Sequence, residues 1–167
     1  MKLFKMNWSM RRAAIQDLSR PHKFAYERVG FLCCRTAAIN HGLMVLAESY
    51  APVTDENYIR DDGVGARINS AAIRDALQLS LTKEAGIFHI HMHDHIGPPL
   101  PSKTDLVEAA KLVPDFFNVT PRMPHGTIIL SRDSAFGLCW DGKSSQPAIF
   151  NRIEFVGSPF RMVDIRI

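Results

Sequence analysis

Four of the seven histidines in the chain, His89, His91, His93 and His95, occupy alternate positions in a single stretch. An extended backbone turns alternate side chains to one face, so imidazoles two residues apart can converge on one ion. The sequence before them fits a strand that ends there. Ile68 to Glu84 reads as a helix: Asn69 or Ser70 caps its start, Ile73, Leu77 and Leu81 fall at helical spacing beside Ala76, and Gly86 stops it. Ile87 to about His91 then reads as a short strand delivering its end into a histidine-rich loop, which sets the ligands on a rigid edge.

With 167 residues the chain has the length of one ordinary domain, and a single domain spanning 1–167 is expected, with residues 1–20 as an amphipathic lead-in ended by Pro21. Phe24 to Cys34 reads as a helix end running into a buried strand, Leu43 to Tyr50 as a strand, and Ala51 to Gly65 as a polar loop or hairpin edge. Downstream, Pro98, Pro99 and Pro101 stiffen a loop. A second helix starts near Ser102 and is stopped by Pro114. Thr127 to Ser131, Gly137 to Trp140, Ile149 to Val156 and Arg161 to Ile167 are strand candidates, with a turn at Gly157 to Pro159. Strands mixed with two good helices give an α/β fold, an α+β sandwich.

Composition narrows the function classes. At 46% hydrophobic and 22% charged residues, this is the balance of a soluble globular protein. The formal charge of +3 is spread along the chain with acidic residues between, so no nucleic-acid partner is expected. No apolar run reaches membrane-spanning length, and the basic N-terminus lacks an apolar segment with a cleavage site, so no membrane partner and a cytoplasmic location are expected. Cys33, Cys34 and Cys139 fit that compartment, since an odd count with one adjacent pair is a poor disulfide framework.

Ser102 and Asp105 follow the histidines at the start of the second helix. Ser-x-x-Asp is a common capping pattern, but behind a His-x-His and a proline-rich loop the carboxylate becomes a candidate third ligand. Two imidazoles and a carboxylate leave one tetrahedral position for water, as in a catalytic zinc site.

Glu27-Arg28-Val29-Gly30-Phe31-Leu32 and the segment from His89 to Asp105, HIHMHDHIGPPLPSKTD, together resemble the JAMM (JAB/MPN) zinc metalloproteases. That family carries a Glu on an early helix-to-strand element, then a helix, then a strand ending in His-x-His, then Ser and Asp. The resemblance implies a JAB/MPN-like, cytidine-deaminase-like fold in which helices flank a mixed sheet. It implies Zn2+ held by His91, His93 and Asp105, Glu27 as general base, and Ser102 as the hydroxyl that stabilises the oxyanion. The substrate it implies is the C-terminal tail of a ubiquitin-like protein, added along a strand edge near the metal, with activating and conjugating enzymes as further partners.

Two departures bear on the ligands. Asp94 stands where the family usually has Pro, and Ser102 lies one residue further from His93 than the usual spacing. The His91/His93 register needs only a one-residue insertion and keeps Ile87 to Ile90 as the preceding strand; His93/His95 and His89/His91 are the other registers. His125 reads as a turn residue. A non-catalytic scaffold of the same fold, a metal-binding protein using the histidine tract alone, and a small-molecule hydrolase at the same zinc are the alternative functions.

Overall fold

The computed structural model describes residues 1–158 and 160–165. The strands are β1 (Lys2–Asn7), β2 (Val29–Ile39), β3 (Gly42–Pro52), β4 (Gly86–Met92), β5 (His125–Leu130), β6 (Ala135–Trp140), β7 (Ala148–Ile149), β8 (Arg152–Val156) and β9 (Arg161–Asp164). The helices are α1 (Trp8–Leu18), α2 (Ser70–Lys83) and α3 (Lys103–Phe116). All nine strands form one mixed sheet in the order β7-β6-β5-β4-β2-β3-β1-β8-β9. The expected mixed sheet with helices against it is therefore present. No helix among the described residues is long and apolar enough to cross a membrane.

Alternation along the strands builds two cores. Phe88, Ile90 and Met92 of β4 join Phe4, Leu32 and Ile128 in a cluster that also takes in Ala14 and Leu18 of α1. The opposite face pairs Phe31, Cys33 and Ile87 with Ala72 and Ala76 of α2, while Ala109, Val113 and Phe117 at α3 cover Ile129 and Leu138. The odd-numbered positions of β4 therefore face α2 and α3, which puts the histidines on that side.

Several expected elements are corrected. Residues 1–20 are no mere lead-in, because β1 pairs in parallel with both β3 and β8 and buries Phe4 and Met6 completely. Helix α2 presents Ala72, Ala76 and Ser80 to the sheet and leaves Leu81 exposed, since small residues allow the closest approach. It ends on Glu84 in the left-handed conformation (φ 47°), and Gly86 already belongs to β4. Pro114 lies inside the last turn of α3, two residues before its end, where its missing N–H forfeits one helical hydrogen bond. Ile149 to Val156 splits into β7 and β8. The final strand candidate is seen over Arg161–Asp164, its last two residues lying outside the described ones, as does Pro159 of the predicted turn.

His125 is not a turn residue. It opens β5, fully buried, with Nδ1 accepting from the Ile87 N–H (3.0 Å) and Nε2 donating to the Thr120 carbonyl (3.1 Å). Both nitrogens serve only when the ring is neutral with its proton on Nε2. Burial lowers the pKa from 6.5 to about 4. The unfolded chain thus binds this proton first, so the stability contribution is whole above about pH 6.5 and is lost as pH falls towards 4, roughly 3 kcal/mol at one pKa unit per 1.36 kcal/mol. Nitrogen NMR should show His125 as the neutral Nε2–H tautomer down to pH 5. A ring titrating near 6.5 would contradict this assignment.

Candidate metal centre

Strand β4 lies inside the sheet, antiparallel to β2 and parallel to β5, with Val29 opposite His91 and Thr127 opposite His89. The His93 N–H still bonds the Leu130 carbonyl (2.9 Å), which carries the ladder one residue past the strand. There the chain turns, and His95 bonds back to the His93 carbonyl through its own N–H (2.8 Å). The β5–β6 turn clamps the loop that follows: Asp133 accepts from the Gly97 N–H (2.7 Å), the Ser131 hydroxyl donates to the Gly97 carbonyl (2.7 Å), and Arg132 grips Asp94 with two nitrogens.

The third donor arrives from α3. Ser102 is its N-cap and Asp105 its third residue, joined reciprocally: the Asp105 N–H donates to Ser102 Oγ (3.1 Å), and the Ser102 N–H donates to Asp105 Oδ2 (2.6 Å). This capping box satisfies the helix end and also fixes the direction of the carboxylate. Its Oδ1 lies 3.4 Å from His91 Nε2, its Oδ2 lies 3.4 Å from His93 Nε2, and the two Nε2 atoms are 3.3 Å apart. His91, His93 and Asp105 thus bring one ligand atom each within 4.8 Å of one another, a cluster able to bind a metal ion. His91 is buried; its Nδ1 finds no hydrogen-bond partner among the described residues, so the ring's polar contacts are all on the cluster side.

The electrostatics suit a cation. Burial pushes the Asp105 carboxyl up, but its contact with His91 and the hydrogen bonds of the Ser102 capping box outweigh it and hold the group well below the usual carboxylate range. His89, half-buried on the same face and edge-on to Phe31, has its pKa pushed down to about 3 by desolvation and then by His91, against the pull of Asp105. It remains a neutral neighbour. His95 points away, its Nδ1 at the Ile96 carbonyl.

The cluster opens into a cleft of about 490 Å³ that also reaches Glu27, His89 and Thr127, with α3 on one side and the Asp61–Ile68 segment on the other. A shallower lobe joins Glu27 to His93, Ser102 and Asp105. No protein-family model matches the chain, and no curated protein does.

Glu27 differs from its expected setting in that it lies in the irregular segment between α1 and β2, with no helix running into it. The Phe24 and Ala25 N–H groups turn to His22 Nδ1, and those of Tyr26 and Glu27 both go to the Gly65 carbonyl (2.8 and 3.0 Å). Arg28, buried beneath, ties the segment down by donating to the Arg20 and Pro21 carbonyls and to Asp55. The Glu27 side chain makes no hydrogen bond or ion pair among the described residues and is left facing the cleft. Ser102 Oγ accepts within the capping box, and its own proton has no protein acceptor among them.

Strand β4 has neighbours on both sides, β2 and β5, so its own edges are paired. The open surface is the cleft between α3 and the hairpin from Tyr58 to Ile68, whose first part lies in the Ala51 to Gly65 stretch expected as a polar loop or hairpin edge. Cys33, Cys34 and Cys139 are free and buried.

Proposed function

We propose that this chain is a JAMM-type zinc peptidase or isopeptidase of JAB/MPN-like fold that cleaves at the C-terminal tail of a ubiquitin-like protein. The observation that carries the reading is the spacing of the three donors. Zinc bonds of about 2.0–2.1 Å at tetrahedral angles set neighbouring ligand atoms about 3.3 Å apart; the two Nε2 atoms here are 3.3 Å apart, and each lies 3.4 Å from a different oxygen of Asp105, Oδ1 for His91 and Oδ2 for His93. Two neutral imidazoles and a carboxylate suit zinc better than a hard, oxygen-seeking ion. A closed structural site would add a fourth protein ligand, whereas this cluster has three and faces a cleft.

His91, His93 and Asp105 would hold the zinc, which would supply Lewis acidity and acidify a water towards neutrality. Glu27, on the cleft wall and free of other partners, accepts the proton of the attacking water and returns it to the leaving amine. The Ser102 hydroxyl, whose own proton is uncommitted, donates to the developing oxyanion. The substrate tail lies along the cleft, between α3 and the hairpin.

The test is incubation of the zinc-loaded protein with ubiquitin-like proteins carrying a C-terminal extension, with the products weighed by mass spectrometry. A single cut at the end of the ubiquitin-like tail is expected. Intact extensions across the panel, with zinc bound, would leave the metal-binding reading and remove the peptidase.

A further inference from the structure

We infer that Gly65 is a positioning residue for the Glu27 carboxylate, an assignment that rests on the general-base reading above. A Cβ placed on Gly65 would lie 2.6 Å from Glu27 Oε2, 2.8 Å from its Cδ and 3.2 Å from its Cγ. The carboxylate therefore occupies the space that a side chain at position 65 would take, and any side chain there must displace it.

The backbone is pinned on both sides of that contact. The Gly65 carbonyl accepts from the Tyr26 and Glu27 N–H groups. The hairpin that presents it is closed by the Ile59 N–H on the Arg67 carbonyl (2.8 Å), the Asn69 N–H on the Asn57 carbonyl (2.9 Å), and an Arg67–Asp61 ion pair (2.9 Å). Neither chain can slide to relieve a clash. The Glu27 carboxylate, at the far end of a flexible side chain with no other protein partner among the described residues, is what moves.

Gly65 does not have the positive φ that would itself demand glycine; among the glycines only Gly97 and Gly157 do. An alanine at 65 is therefore free of backbone strain, and its effect falls on Glu27. A displacement of about 1 Å of a catalytic group is enough to cost on the order of a hundredfold in rate.

The experiment compares the zinc-loaded full chain with Gly65→Ala, Glu27→Gln and the double variant, measuring kcat and KM on the extended ubiquitin-like substrate, zinc content, and the crystal structure of Gly65→Ala. Expected are a Glu27 carboxylate displaced from its wild-type place with His91, His93 and Asp105 unmoved, kcat lower by about tenfold to a hundredfold, KM within about threefold, and no further loss when Gly65→Ala is added to Glu27→Gln. A carboxylate that stays in place overturns the inference whatever the rates are, as does an equal loss in the Glu27→Gln background. A displaced carboxylate with Glu27→Gln at wild-type rate keeps the positioning contact and overturns the general-base reading instead.

Discussion

Glu27→Gln lowers the cleavage rate by about a hundred- to ten-thousand-fold while zinc content and melting temperature stay at their wild-type values. The glutamine amide has nearly the shape of the carboxylate but cannot take up a proton at neutral pH, so only proton transfer is lost. The fold gives no reason for a second effect. The Glu27 side chain is partly exposed and unpaired among the described residues, and the segment that carries it is held by the Gly65 carbonyl and Arg28 through backbone contacts that the substitution leaves alone. Such a change alters stability by about 0.5 kcal/mol at most. Kinetics, metal analysis and thermal melting on the same preparation separate the outcomes. Equal rates would make Glu27 a bystander, and loss of zinc with activity would make it a ligand.

His91→Ala and Asp105→Asn each reduce zinc affinity by at least about a hundredfold, beyond the ten- to hundredfold typical of altering a group that only supports a ligand. Asparagine is chosen at 105 because it can still accept the Ser102 N–H and so keep the cap of α3, worth about 1 kcal/mol, while discarding the charge. His95→Ala leaves affinity unchanged, since that ring turns to the Ile96 carbonyl. Calorimetric titration of metal-free protein measures all three. Retention of tight binding in His91→Ala, or its loss in His95→Ala, would place the metal in a different register of the histidine tract.

The histidine cluster was legible because a period of two is all that a strand end needs to align ligands, and because Ser102 and Asp105 follow at a helix start. The structure brings together His91, His93 and Asp105 of that register. Helix α2 was legible from Asn69 at its start and from Ile73, Ala76 and Leu77 on its packed face, but its end at Glu84 and the burial of Ala72 and Ser80 in place of Leu81 were not. Spacing alone favours Leu81, whereas contact distance favours Ala72, Ala76 and Ser80. β1 was hidden because a six-residue run with Lys2 and Lys5 looks polar. Those lysines are paired, Lys2 with Asp141 and Lys5 with Glu154 directly opposite it on β8. The wall of the cleft reads as a loop or hairpin edge, but its contact with Glu27 was hidden for a different reason: Gly65 and Glu27 are 38 residues apart in sequence, and nothing local announces what such a segment will touch.

Stoichiometric zinc titration of chelator-stripped protein, with cleavage of the extended ubiquitin-like substrate followed at each addition, tests the zinc-peptidase claim most directly. Cleavage should be absent at the start, rise in proportion to added zinc, and level off at one equivalent per chain. A stripped protein that cleaves at the full rate, or one that binds its equivalent of zinc and never cleaves, would contradict it.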